Sequence, residues 1–199
     1  MSSRHSNYIP MKRLLLLLAL CVSTTAWAQW HIDLGAGISH VNAPYPGTGA
    51  GIGCSLGAGY HFQFTPEWGL NPICQLSWQG EKNYGALYVK MPILVSFRIA
   101  NVEVEAGPYA SYGLTDKKNE DRIYDAPPQG TTLDPWARSA FGYYNRFDMG
   151  LTSRICYHFP KFFLGLEGSY GLLDIARKDL SKSFSAHSMG LNLLAGVKF

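Results

Sequence analysis

The chain has 199 residues, with 17 Lys and Arg against 14 Asp and Glu, 14% aromatic residues and 21 glycines. Three of the bases, Arg4, Lys12 and Arg13, lie in the first 28 residues, which hold no acid; residues 29–199 therefore carry 14 of each sign and offer no electrostatic footprint for nucleic acid. After residue 28 no apolar run approaches the ~20 residues of a membrane-spanning helix, so a closed β-barrel is the remaining way for this chain to satisfy its backbone in lipid.

Met11-Lys12-Arg13, the apolar stretch Leu14 to Val22 and the small-residue site Ala26-Trp27-Ala28 follow one another. Residues 1–28 read as a cleaved secretory signal peptide, and residues 29–199 as one outer-membrane barrel domain. Met11 is a plausible alternative start. Leu20 stands before Cys21, where an acylation signal wants a small residue, so a lipoprotein anchor does not fit.

Apolar side chains then recur with a period of two in eight segments. Trp30, Ile32, Leu34, Ala36 and Ile38 form the first face; Ile52, Cys54, Leu56, Ala58, Tyr60 and Phe62 form the second. Leu70, Pro72, Cys74, Leu76 and Trp78 make the third, and Leu87, Val89, Met91, Ile93, Val95 and Phe97 the fourth. The fifth runs from Val102 to Leu114 through Val104, Ala106, Pro108, Ala110 and Tyr112. The sixth is Phe147, Met149, Leu151, Ser153, Ile155 and Tyr157; the seventh is Phe162, Leu164, Leu166, Gly168, Tyr170 and Leu172. Met189, Leu191, Leu193, Ala195, Val197 and Phe199 complete the set, with the last strand stopping on an aromatic. These predict an all-β fold, an eight-stranded antiparallel up-and-down transmembrane β-barrel.

Connections alternate in the same sense. Residues 41–50, 80–86, 115–145 and 175–186 are polar, Gly-rich or Pro-bearing, whereas Phe64-Thr65-Pro66, Ile99-Ala100-Asn101 and Phe159-Pro160-Lys161 are tight. Long external loops and short periplasmic turns put the protein in the outer membrane of a Gram-negative cell with both termini periplasmic. Aromatic residues gather in two girdles: Trp30, Phe62, Trp68, Phe97, Tyr157, Phe162 and Phe199 toward the turns, and Trp78, Tyr112, Phe147 and Tyr170 toward the loops. The expected partners are outer-membrane lipid and, through Phe199 as a C-terminal assembly signal, the barrel-assembly machinery.

Asp33, Lys90, Arg98, Glu103, Glu105, Arg146, Asp148, Arg154, Glu167 and Lys198 all fall on the opposite, inward register. Arg98 can reach Glu103 across one turn, and Arg154 can reach Glu167 across another. An eight-stranded barrel has room only for its own side chains, so these charges are expected to plug the lumen rather than line a pore. A soluble lipocalin-like barrel would invert the pattern, burying ten charges and exposing Leu, Ile and Phe, and is excluded on desolvation.

Tyr88-Val-Lys-Met-Pro-Ile-Leu-Val-Ser-Phe97 resembles a strand motif of PorT-like outer-membrane β-barrel proteins, an aromatic followed by a Pro-centred apolar run. Glu105-Ala-Gly-Pro-Tyr-Ala-Ser-Tyr-Gly-Leu114, Arg146-Phe-Asp-Met-Gly150 and Phe163-Leu-Gly-Leu-Glu-Gly-Ser-Tyr-Gly-Leu172 are similar to the following strands, so the resemblance spans Trp30 to Phe199. It implies the barrel fold and an accessory or assembly role in the envelope or a secretion system, with envelope or secretion-complex proteins as partners. It supplies no catalytic residues.

Pro92 and Pro108 each remove a ladder donor, for which a local bulge or kink is the expected accommodation. Inward glycines at 35, 37, 51, 53, 57 and 59 leave room for Tyr88, Tyr109 or His61 from other walls. Cys54 and Cys74 sit on neighbouring strands at similar distances from the turn at Phe64-Thr65. A disulfide in an oxidising compartment and two small apolar side chains facing acyl chains both remain open. Cys156 faces inward, and with the scattered His31, His61 and His158 the cysteines give no metal-ligand spacing. No metal, other cofactor or catalytic group is expected. A lipid-modifying enzyme would need a Ser–His pair at the membrane boundary; His187 and Ser188, being adjacent on a strand, point to opposite faces, which leaves combinations such as Ser183 or Ser185 with His187. The expected function lies in surfaces: an accessory or assembly component or, alternatively, a structural or adhesive barrel acting through loop 115–145.

Overall fold

The computed structural model describes residues 29–42, 50–80, 85–116, 145–176 and 185–199. The expected signal peptide, most of loop 115–145 and the middles of the other three loops lie outside the described residues. Eight strands follow in order: β1 (Gln29–Asn42), β2 (Gly51–Gln63), β3 (Trp68–Gly80), β4 (Gly85–Ile99), β5 (Val102–Asp116), β6 (Phe147–His158), β7 (Phe162–Gly171) and β8 (His187–Lys198). Each pairs antiparallel with the next, and β8 returns to β1, so the sheet closes on itself and no strand edge is left unpaired.

The period of two explains why these segments are strands. Along β6, Phe147, Met149, Leu151, Ser153, Ile155 and Tyr157 are exposed while Asp148, Gly150, Thr152, Arg154 and Cys156 are buried. In an ordinary soluble protein that would be inverted. Here Leu34, Ile52, Ile93, Leu151, Leu166 and Leu193 all stand outside while Asp33, Lys90, Glu105, Arg154 and Glu167 are inside, which is stable only with hydrocarbon around the barrel.

Register sets the tilt. From His40 the paired positions pass through Met189, Tyr170, Leu151 and Pro108, and at the same offsets continue through Ile93, Pro72 and Tyr60 to return to β1 at Trp30, ten residues away. Such a stagger tilts strands of an eight-stranded barrel by ~40°. The eight steps on β7 between Phe162 and Tyr170 then span ~20 Å along the axis, close to the ~25 Å apolar band such barrels carry. Rings mark the turn-side border: Trp30 lies 4.7 Å from Tyr60, Tyr60 lies 4.5 Å from Phe62, Trp68 lies 4.7 Å from Phe97, and Phe159 stacks on Phe162 at 4.3 Å. At the other border Tyr112 pairs with Phe147.

The turn between β2 and β3 is held by Thr65, whose hydroxyl accepts the backbone N–H of Trp68 at 3.0 Å. The β4–β5 turn is two residues, Ala100 and Asn101, and Ala100 takes a left-handed φ of 52°. At the loop end Asp174 Oδ1 accepts the backbone N–H groups of Ala176 (3.0 Å) and Ala186 (2.9 Å), clamping the base of the last loop.

No bulge accompanies the prolines. Register is unchanged on either side of Pro92 and Pro108: Pro92 still opposes Tyr109, and Val95 opposes Ala106 at the same offset. The irregularity in this pair of strands lies at Leu87/Tyr88, where Leu87 opposes Thr115 and Tyr88 opposes Gly113, leaving Leu114 as the extra residue. Pro92 instead points inward and is fully buried, filling the lumen beside Leu94.

Candidate functional site

The lumen is filled from end to end by side chains from all eight strands. At its middle Arg154, 1% exposed, donates from Nε to Glu167 Oε2 (2.7 Å) and from Nη1 to Asp33 Oδ2 (3.2 Å). Arg154 and Glu167 are cross-strand neighbours, whereas Asp33 comes from β1, three strands away. Lys90 reaches across from β4 to Glu167 Oε1 at 3.2 Å and lies 4.7 Å above the Tyr109 ring. Gln75, Leu94, Thr152 and Ser96 pack the remaining space.

Toward the loops, Asp148 Oδ2 accepts hydrogen bonds from Ser188 (2.6 Å) and Tyr109 (2.8 Å). Above them Ile175, Ala176 and Ala186 are buried. Toward the turns, Arg98 Nη2 meets Glu103 Oε2 at 2.8 Å, and His61 Nε2 lies 2.9 Å from Glu103 Oε1. His158 touches the same carboxylate. Glu105 accepts from Asn71 Nδ2 at 2.7 Å, and His31 lies 3.6 Å from Asp33. Phe163 packs against the rings of both His31 and His158. Lys198 and Gln29 border a cavity of about 20 Å³ at this end, room for a single water rather than a channel.

Known proteins share this architecture. Neisserial surface protein A matches with a TM-score of 0.53 at 12% identity, over 86% of this chain and 99% of that one. Ail, the attachment invasion locus protein of Yersinia pestis, gives 0.49 at 14% identity, and the N-terminal β-barrel domain of Pseudomonas aeruginosa OprF gives 0.44 at 11%, each over 86% of this chain and 99% of the other. The shared fold is the outer-membrane β-barrel. No family model and no curated relative matches the chain.

Nine of the ten charges expected in this barrel's lumen line its interior. Arg146 stands apart: it precedes β6, is exposed, and its Nη1 lies 3.4 Å from the Leu114 carbonyl at the rim. The inward parity continues through residue 146, but the wall has already ended there. Among the described residues the lumen therefore holds five acids, Asp33, Glu103, Glu105, Asp148 and Glu167, against four bases, Lys90, Arg98, Arg154 and Lys198.

Cys54 and Cys74 are unbridged and face outward. Cys54 opposes Trp78, and Cys74 opposes Ala58. The two thus sit four residues out of step, ~13 Å along the strands, which is beyond the span of a disulfide. The inward glycines also serve neighbours other than those expected. A Cβ on Gly57 would lie 2.6 Å from Asp33 Oδ1, and one on Gly59 would run into the His31 ring, so they seat β1 side chains rather than Tyr88, Tyr109 or His61.

His31, His61 and His158 were invisible as a group at linear spacing. Each is inward and within a few residues of the turn end, which is the signal that unites them with Glu103. Ser96 Oγ lies 2.8 Å from His61 Nε2, the same nitrogen that faces Glu103. A nucleophile relay needs serine and acid on opposite ring nitrogens, so this trio is not arranged as one. His187 places Nδ1 3.2 Å from the Gly171 carbonyl and stacks on Tyr170, while Ser188 points inward to Asp148. Ser185 is exposed, and Ser183 lies outside the described residues.

Proposed function

We propose that this protein is a non-conducting barrel of the outer membrane, both termini periplasmic, that works through its surfaces as an accessory or assembly component of the envelope or of a secretion system. The filled lumen carries this reading: Arg154, Gln75, Glu167 and Asp33 are all within 1% of complete burial and block the axis. Chemistry or transport through the barrel would need an open path, so what remains for partners is the lipid face, the turns and the loops. The PorT-like strand motifs favour the assembly role. Phe199, 73% exposed with its N–H bonded to the Trp30 carbonyl at 2.9 Å, is presented at the β8–β1 seam where the barrel-assembly machinery would engage a C-terminal strand.

The test compares secreted and periplasmic proteins of a strain lacking this chain with those of its parent. Cargo stranded in the periplasm supports the assembly role; an unchanged profile removes it. A second reading, adhesion through loop 115–145, is favoured by the firm root of that loop. Asn145 donates its backbone N–H to Ile175 O (2.6 Å) and its side-chain amide to Ala176 O (3.1 Å). Deleting residues 117–144 separates the two readings, because adhesion is then lost while assembly through the turns persists.

A further inference from the structure

Donor atoms from non-neighbouring strands converge at the turn end of the lumen. One ligand atom each from His61 on β2 and from Glu103 and Glu105 on β5 lies within 4.8 Å of the other two, and all three residues are buried. We propose that His61, Glu103 and Glu105 bind a divalent transition-metal ion, with Zn²⁺ as the best chemical match. Imidazole nitrogen with carboxylate oxygen is a borderline donor set that suits Zn²⁺ over the all-oxygen preference of Mg²⁺ or Ca²⁺.

A further observation points the same way. Glu103 Oε1 and both ring nitrogens of His158 are buried without a hydrogen bond of proper geometry, although His61 and His158 each press a nitrogen against Glu103. A cation between His61 and the two carboxylates would engage the buried Glu103 Oε1 directly.

Geometry and access are compatible. Tetrahedral zinc with bonds of ~2.0–2.1 Å spaces its ligands by roughly 3.4 Å, so the three donors need to close by little more than an ångström. Asn71 on Glu105 and His158 on Glu103 hold the carboxylates in place as outer partners of a metal site do. Arg98 competes for Glu103, but its head is 23% exposed at the turn-side mouth and can turn to water while its stem stays packed. His61, Glu103 and Glu105 line the small turn-end cavity together with Arg98. An ion here would brace β2 against β5, which are not neighbours in the wall.

The experiment titrates the metal-stripped, folded barrel in detergent with Co²⁺, followed by Zn²⁺ competition. One equivalent with visible bands of four- or five-coordinate Co²⁺, displaced by Zn²⁺, is expected. His61→Ala and Glu105→Gln should each weaken binding at least ~10-fold while keeping heat-modifiable gel mobility, and His187→Ala, outside the cluster, should change nothing. Absence of a saturable site, or unaltered binding in the two lumen variants, overturns the proposal. X-ray absorption of the Zn²⁺-loaded parent chain covers the case in which a variant does not fold: imidazole scattering with only N and O neighbours supports the site, and sulfur or water-only coordination overturns it.

Discussion

Arg154→Met is the substitution that tests whether the lumen is a structural plug. Methionine keeps the length and apolar stem of the side chain but removes the guanidinium that joins Glu167 and Asp33. Glu167 retains Lys90 at 3.2 Å, whereas Asp33, fully buried, is left with only the weaker His31 contact at 3.6 Å among its ion pairs. Removing one partner of a buried pair typically costs ~3–5 kcal/mol, because the remaining charge stays out of water. That is a large share of the ~5–15 kcal/mol that holds a typical domain folded. Equilibrium urea unfolding in lipid vesicles, read by tryptophan fluorescence, measures it directly. Adding Asp33→Asn to Arg154→Met should restore part of the loss, a coupling that a double-mutant cycle isolates. A cost below ~1 kcal/mol with additive single effects would mean that water reaches these charges, and the plugged-lumen reasoning would fail.

Gly57→Ala forces a methyl against Asp33 and should destabilise the barrel by ~1–3 kcal/mol in the same assay, while Gly168→Ala, whose nearest atom is 3.7 Å away, should be close to neutral. Ala100→Gly relieves a left-handed residue worth roughly 1–2 kcal/mol, less the ~0.5–1 kcal/mol of extra unfolded-state freedom, for a net gain of about half a kcal/mol. Ala100→Val should destabilise, and the reverse order of urea midpoints would contradict the turn geometry. Cys54 and Cys74 should both alkylate with a membrane-permeant maleimide without prior reduction, and a parent barrel protected from labelling until reduced would contradict the register. In planar bilayers the purified barrel should give no resolvable single-channel steps; steady openings would show that the charge network moves aside.

Which side of the wall each residue occupies was readable from the sequence because a strand has only two faces, and a one-residue error would have moved every Leu inward and every charge into lipid. The two-residue turn at Ala100-Asn101 likewise makes Arg98 and Glu103 direct opposites, so that pair follows from counting. Counting failed for Cys54 and Cys74 because the β2–β3 connection is longer than the three residues that look tight: Phe62 opposes Leu70, which centres the hairpin on Pro66 and shifts the cysteines out of step. Proline posed another problem of the same kind. Its missing donor suggested a bulge, but Pro92 spends its rigidity on lumen packing, and the bulge falls where Leu114 is extra.

Contacts across the lumen were beyond any such count. Asp33 meets Arg154, and His61 meets Glu103, only because the stagger of the closed sheet brings non-neighbouring strands to the same height. The stagger depends on all eight registers at once, so an error in any single hairpin displaces every cross-lumen pair. The useful rule for a chain of this kind is positional. Inward residues a few steps from a short turn share one end of the barrel whatever their separation in sequence, and that rule alone groups His31, His61, Glu103 and His158. It stops short of saying which of them touch, since in a lumen this narrow contact depends on side-chain length: Arg154 crosses to Asp33 and Lys90 crosses to Glu167 because both are long, whereas Asp148 is served by Tyr109 and Ser188 from nearer walls.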